Sequence, residues 1–278
     1  MALSSAPYSV LMSVYGKDVP DFFDASMQSM VDQTVPFAEL VLVCDGPLSA
    51  ELDRRIDAWA EKLGGRLVTL RLETNQGLGN ALQVGLEHCS NDIVARMDSD
   101  DISRPMRCEL LLKAMAEGEL DLVGGAISEF GEKPGDLNSI RRLPSESAEI
   151  RRFSKKRNPF NHVSVMFKKE AVLAAGGYKP FYLMEDYYLW VRMLSRGCRC
   201  RNIDDVVVDV RVGSGMYGRR SGIRYLRSQK DFFGYLRSEG YISRIDYVKT
   251  MAARVIVSAL PADSVKAIYG AFLRSNRK

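Results

Sequence analysis

The chain reads as an α/β protein whose mainly parallel sheet is covered by helices on both faces. Three observations predict this. Short apolar runs alternate with amphipathic stretches throughout the first half. Nearly every run ends abruptly in turn-forming, polar residues. The length, 278 residues, suits one large α/β domain with an appendage.

The runs at 8–14, 39–44, 66–72, 92–97 and 120–128 have strand character. The stretches 21–33, 49–63, 79–89 and 106–117 carry helical spacing. Ser49 is a natural N-cap for the second helix, and Gly64-Gly65 ends it. From 132 to 159 the chain is turn-rich and basic, with Arg151-Arg152 and Lys155-Lys156-Arg157, and has room for one short helix. A strand at 162–168 leads into a helix at 169–175, closed by Gly176-Gly177. Apolar residues then recur at helical spacing from Tyr182 to Leu194, and Gly197 stops them. A strand at 200–212 follows. Beyond about residue 221 the pattern is helical, basic and amphipathic, broken at Pro261. This divides the chain into a body, 1–220, and a basic helical extension, 221–278.

Composition excludes several classes. An apolar fraction of 46% with 27% charged residues is ordinary for a globular protein. No segment approaches the roughly 20 apolar residues needed to cross a bilayer. The first eight residues lack the basic flank and apolar core of a targeting peptide. Five scattered cysteines, without a CxxC pair, fit reduced thiols in a cytoplasmic protein. The net charge of +4 is uneven: from Arg211 onward there are 14 Lys/Arg against 4 Asp/Glu, leaving the preceding residues at −6. Such a tail calls for an anionic partner, a membrane surface or nucleic acid. Nucleic acid is disfavoured, because no interleaved aromatic platform accompanies the basic residues.

In parallel sheets the ligand crevice lies at the strands' carboxyl ends. Four clusters follow the first four strands: Ser13-Val14-Tyr15-Gly16, Asp45-Gly46-Pro47, Asn75-Gln76-Gly77 and Asp98-Ser99-Asp100-Asp101. The last carries the most chemistry. Three carboxylates at a strand end repel one another and require a cation. Hard oxygen ligands of this kind suit Mg²⁺ or Mn²⁺ bridging to a diphosphate. A solvated acidic turn is the plain alternative. Glu185-Asp186 opens a helix, where the dipole favours carboxylates by roughly a few tenths of a kcal/mol. Beside an aromatic wall of Tyr182, Tyr187, Tyr188 and Trp190, desolvation would instead raise a pKa and suit a general base. Arg211-Val212-Gly213-Ser214-Gly215, with Arg219-Arg220, could close over a diphosphate, or be an exposed basic loop. His162 could ligate a metal or phosphate, or be a hydrogen-bonded structural histidine.

In order along the chain, these clusters together with Asn158-Pro159-Phe160-Asn161-His162 and Gly176-Gly177-Tyr178 resemble glycosyltransferase family 2. More narrowly, they resemble the bacterial enzymes that assemble O-antigen, capsule and exopolysaccharide repeat units. The resemblance covers residues 7–220. It implies a GT-A fold and inverting transfer from a UDP-sugar, with galactose or glucose as the hexose. It places Ser13, Val14 and Tyr15 along the nucleotide, Asp45 toward the base, and Asn75 and Gly77 beside the nucleoside. Asp98 and Ser99 would meet the ribose or metal region, and Asp100 would ligate Mn²⁺ or Mg²⁺, with Asp98 and His162 as further candidate ligands. Asp186 would be the general base with Glu185 beside it. Arg211, Gly213 and Ser214 would engage the diphosphate.

Two departures stand out. Cys44 and Pro47 replace the second Asp and the Ser that many members carry after the second strand. The loop after Arg211 lacks the Gln-x-x-Arg-Trp of processive members, which implies addition of a single sugar. The implied acceptor is a saccharide on a polyprenyl diphosphate, and the basic extension would dock on anionic lipid at the inner face of the cytoplasmic membrane. Tyr241-Ile242, Tyr247-Val248 and Val255-Ile256-Val257 would supply its apolar face. The alternatives are a phosphatase, which would need the DxD on its first strand, a sugar nucleotidyltransferase, which would need a Gly-rich N-terminal loop, and a catalytically degenerate assembly subunit.

Overall fold

In the computed structural model the described residues are 6–213 and 222–258. Ser214, Arg219-Arg220 and the chain after 258 therefore lie outside them.

Alternation of strand and helix is realised through the first half. The elements are β1 (Tyr8–Tyr15), α1 (Pro20–Val31), β2 (Glu39–Asp45), α2 (Ala50–Leu63), β3 (Leu67–Arg71), α3 (Leu78–His88) and β4 (Ile93–Asp98). Ser49 caps α2 by accepting the Leu52 N–H, 3.2 Å, and Gly64 ends it with φ +56°. A two-residue strand that hydrophobic patterning misses, β5 (Ile102–Ser103), precedes α4 (Arg107–Gly118) and β6 (Leu122–Phe130). The turn-rich segment holds β7 (Ser139–Arg141) and α5 (Ser147–Ser154). Then follow β8 (Met166–Lys168), α6 (Lys169–Ala174), α7 (Glu185–Ser195), β9 (Cys200–Arg211), α8 (Ile223–Ser238) and α9 (Arg244–Ser258). The strand expected over 162–168 is half the expected length. His162–Ser164 forms a 3-10 turn instead, because the Ser164 hydroxyl is drawn to Gly125 and Asn161 carbonyls rather than facing a neighbouring strand.

The sheet order is β3-β2-β1-β4-β8-β6-β9-β5, with β7 paired to β6. The first four strands are mutually parallel. β8 is antiparallel to both its neighbours, and β5 lies antiparallel on β9, so the sheet is mixed beyond β4. From β1 the chain winds outward through β2 and β3, then returns to place β4 on the other side of β1. That reversal opens a crevice at the carboxyl ends of β1 and β4.

Period-two alternation sends each strand's side chains into two cores. Val10, Met12, Leu42, Ala95 and Met97 pack with α1, α2 and α4 on one face. Leu11, Val41, Val94 and Phe167 pack with α3 and α7 on the other, where Trp190 is fully buried. A third, aromatic cluster joins α7 to the extension: Met184, Tyr187 and Val191 meet Phe232, Phe233, Leu236 and Ile242. The Tyr187 and Phe232 ring centroids are 4.4 Å apart. No helix among the described residues is long and apolar enough to cross a membrane. All five cysteines are free and buried.

Candidate active site

Register assembles the first corner. Ser13 lies opposite Asp98 across β1 and β4, and Tyr15 lies opposite Asp45 across β1 and β2. Three strand ends therefore meet on one rim. Past β4 the chain turns sharply, and Asp98, Asp100 and Asp101 each bring a carboxylate oxygen within 4.8 Å of the others. The turn is held from several sides. The Ser26 hydroxyl donates to the Asp98 carbonyl, 2.6 Å, and the Ser99 hydroxyl donates to Asp18, 2.7 Å. The same Asp18 oxygen accepts the Tyr15 N–H at 3.1 Å, which ties the β1 loop to the acidic turn.

Two arginines answer this negative charge. Arg96, two residues before Asp98 and so on the same face of β4, is fully buried and ion-paired to it. The Arg211 backbone N–H donates to Asp101, 2.8 Å, and its Nε donates to the Asp100 carbonyl, 3.2 Å. The Arg211 guanidinium is clasped between rings, 3.7 Å from the Phe22 centroid and 4.6 Å from that of Phe130. These contacts do not offset the repulsion. Desolvation, followed by the charges of Asp98 and Asp18, pushes the Asp100 carboxyl up to about 6. Burial, then Asp98 and Asp100, holds Asp101 well above the usual carboxylate range. Such a set of hard, mutually repelling oxygens fits a divalent cation of the Mg²⁺ or Mn²⁺ type.

Asp45 and Asn75 are spent on one another's loops. The Asp45 carboxylate accepts the Gln76 N–H at 2.7 Å and the Gly77 N–H at 3.0 Å, while Asn75 donates to the Asp45 carbonyl at 3.0 Å. The loops are so close that a Cβ on Gly46, already at φ +86°, would sit 2.5 Å from the Asn75 nitrogen. Asp45 thus shapes the wall between β2 and α3.

The second corner is the start of α7. Asp186 accepts the Tyr187 N–H on one oxygen, 2.7 Å, and the Asn158 side-chain amide on the other, 2.5 Å. Burial, with the Asp186 charge adding to it, pushes Glu185 up to about 7. Gly79 explains part of the Gly77-Leu78-Gly79 pattern: a Cβ there would come 3.1 Å from Glu185 Cγ and 3.1 Å from the Lys179 carbonyl. The first turn of α3 is pressed against the first turn of α7. Of the expected aromatic wall, Tyr187 and Trp190 are buried, Tyr188 is half-buried and Tyr182 is 38% exposed.

Tyr178 lies between the corners. Its phenol is pushed upward chiefly by burial, and the charges of Arg96, Asp186 and Asp98 all act on it. His162 does not join the carboxylates. Its Nε2 pairs with the Tyr178 hydroxyl at 3.0 Å, and its ring meets Trp190 edge-on at 5.9 Å. Burial, and then the Arg96 cation, hold its pKa well below the ordinary imidazole range. Of the two sequence readings, the geometry matches a hydrogen-bonded histidine, because Nε2 is already committed to Tyr178.

Sequence reasoning left Asn158, Asp18, Asp101, Arg96 and the Phe22–Phe130 clasp without roles. Asn158 stood within a recognised cluster, and Asp101 beside the DxD, so proximity was a usable signal for both. Asp18, Phe22 and Phe130 carried none, because only the fold brings them to the site. Gly213 is exposed just beyond β9.

A mixed α/β sheet with an acidic turn at its switch point, and a second carboxylate pair at the start of α7, matches the fold of GT-A glycosyltransferases. The chain belongs to glycosyltransferase family 2, whose model, described as "Glycosyl transferase family 2", matches residues 9–175. It is 38% identical over 275 residues, 99% of each chain, to the Escherichia coli UDP-Gal:alpha-D-GlcNAc-diphosphoundecaprenol beta-1,3-galactosyltransferase. It is 39% identical over 259 residues, 91% of this chain and 96% of the relative, to the amylovoran biosynthesis glycosyltransferase AmsE of Erwinia amylovora. Among solved structures it is similar in fold to the mannosyltransferase PcManGT from Pyrobaculum calidifontis in complex with GDP-Man and Mn²⁺. The TM-score is 0.64 at 20% identity, over 96% of this chain and 80% of that one.

Proposed function

We propose that this glycosyltransferase moves a single hexose, galactose before glucose, from a UDP-sugar to a saccharide carried on a lipid diphosphate, inverting the anomeric centre, in surface polysaccharide synthesis. The observation that carries the reading is the pairing of an acidic, arginine-braced corner with a separate carboxylate corner across Tyr178. Likeness to the E. coli enzyme supplies the donor and the acceptor class.

Asp98 and Asp100 are the residues to hold Mn²⁺ or Mg²⁺, with Asp101 behind them on Arg211. When bound, that ion supplies neutralising charge for a departing diphosphate. Ser13, Val14, Tyr15, Asn75, Gly77 and Ser99 line the nucleotide side, and Asp45 acts by fixing the 75–77 loop. Arg211 and Gly213 border the diphosphate, Arg211 with its guanidinium oriented by two rings. Asp186 takes the proton from the acceptor hydroxyl as that oxygen attacks from the face opposite the leaving group. Asn158 sets its carboxylate plane. Glu185, its carboxyl pushed up to about 7 by burial, buttresses the helix start.

The extension, 221–278, would bring the enzyme to its lipid acceptor from the cytoplasmic side of the membrane. The apolar face read from sequence is split: Val248, Val255 and Ile256 are exposed, and the other described residues turn inward. Ile242 is buried, and Tyr241 and Tyr247 pack with it against the α8 aromatics, since that cluster needs covering. Ile245, Val248, Val255 and Ile256 are the exposed apolar residues of α9, each at least half exposed. At 100° per residue they share one arc, flanked by Arg244 and Lys249. The Val257 side chain lies outside the described residues.

The test is transfer in vitro. With Mn²⁺, the protein is expected to move galactose from UDP-galactose to a GlcNAc-diphosphate-alkyl acceptor, and NMR should show a β linkage. Absence of transfer from any of a panel of UDP-hexoses to that acceptor would overturn the assignment.

A further inference from the structure

We propose that the cleft between the loop entering α7 and the first turns of α8 binds the diphosphate of the acceptor lipid. The proposal deepens the function proposed above and rests on it for the acceptor's chemistry. The open cleft, about 430 Å³, is lined by Pro180, Phe181, Tyr182, Arg224, Arg227, Ser228 and Asp231, so two guanidinium groups stand against one carboxylate.

Four observations build it. Arg224 and Arg227 stand at i and i+3, so both project from one side of α8. Both are exposed, and neither forms an ion pair among the described residues. The Arg224 guanidinium lies 4.1 Å from the centroid of the Tyr182 ring, which fixes its plane while leaving its N–H edge for an anion. The floor is rigid: the Ser228 hydroxyl donates to the Tyr182 carbonyl at 2.6 Å, and Phe181 packs on Tyr188 and Phe232 at 5.2 and 5.7 Å.

Position then selects the ligand. Tyr182 is three residues ahead of Glu185 and four ahead of Asp186, on the same continuous segment. A saccharide whose hydroxyl meets Asp186 extends its reducing-end phosphates away from the reacting oxygen. The donor's own diphosphate already has Arg211 and the three aspartates at the ends of β4 and β9. Two further arginines on the base side of the site therefore match a second diphosphate, the one carried by the acceptor. Arginine forks pair with phosphate oxygens bidentately, which distinguishes a diphosphate from a neutral glycoside. Ile223, next to Arg224 in the chain and exposed, offers an apolar surface suited to the first carbons of a prenyl chain.

The experiment compares two probes, GlcNAc α-linked to an alkyl diphosphate and the corresponding alkyl glycoside without phosphate. Calorimetric binding and, where transfer occurs, KM are measured for the wild-type protein, R224A/R227A and R224K/R227K. Wild-type protein is expected to prefer the diphosphate probe by about tenfold or more. R224A/R227A should lose that preference while keeping UDP affinity and melting temperature, and the lysine pair should recover part of it. Equal diphosphate affinity in wild type and R224A/R227A overturns the proposal, as does an equal loss for both probes. If the wild type binds the diphosphate through these arginines yet transfers no sugar, the site stands and the proposed function falls.

Discussion

The acidic corner and the base corner are both made of carboxylates, yet they are held in opposite ways. At the strand ends, Asp98, Asp100 and Asp101 crowd together, and even with Arg96 and Arg211 nearby two of them are pushed upward in pKa. At the start of α7, Asp186 accepts the Tyr187 N–H on one oxygen and the Asn158 amide on the other, and burial pushes its neighbour Glu185 upward in pKa. The first arrangement is built to receive positive charge. The second keeps one carboxylate oriented by neighbouring N–H donors, beside a partner whose pKa burial raises. What distinguishes the corners is how the surroundings compensate charge, since the ionisable group is a carboxylate in both.

The sharpest way to break this comparison is a reciprocal pair of variants. Asp186→Asn should lower transfer by about 10²–10⁴-fold while sparing UDP binding, because it removes proton transfer alone. Asp100→Ala should do the reverse to binding, so that added Mn²⁺ no longer strengthens UDP affinity in calorimetry. Transfer at the wild-type rate by Asp186→Asn would end its assignment as base. Next in size, Asn158→Ala should reduce kcat by about 10–100-fold with little change in donor KM, since a carboxylate freed to rotate loses its near-attack geometry. An unchanged kcat would show that Asp186 is oriented without Asn158.

A pH series separates Glu185 from Asp186. The folded pKa of Glu185, about 7, lies above its ordinary 4.5, so its neutral form is the one the fold favours. The associated stability is complete below about pH 4.5 and is lost as pH rises through 7. Glu185→Gln should therefore match wild type in melting temperature near pH 4 and exceed it at pH 8. A difference that is flat with pH would remove the burial argument. The smallest effect on stability belongs to the outer face of α9. Ile245→Ser with Val248→Ser should change stability by about 0.5 kcal/mol or less, since both are exposed. The same change should weaken sedimentation with anionic vesicles.

Much of the architecture was legible because β1 to β4 and α1 to α4 carry strong periodicity and punctuated ends. The acidic turn was legible because its charges are adjacent in sequence. The strand at 162–168 was misjudged in length because its apolar run serves a 3-10 turn whose Ser164 bonds sideways. The apolar face of the extension was read in part: Val248, Val255 and Ile256 are exposed, while Tyr241, Ile242 and Tyr247 are drawn onto the α8 aromatics, which only packing decides.

By itself, then, the sequence determined the alternation of elements, the rim on which the clusters fall and the acidic turn itself. These follow from local periodicity and from residues that neighbour one another in the chain. The tertiary structure decided the mixed sheet beyond β4, the clasp of Phe22 and Phe130 on Arg211, the spending of Asp45 on a loop, and the hold of Asn158 on Asp186. Each of these joins residues far apart in sequence, and no local pattern records which distant group will satisfy a buried charge.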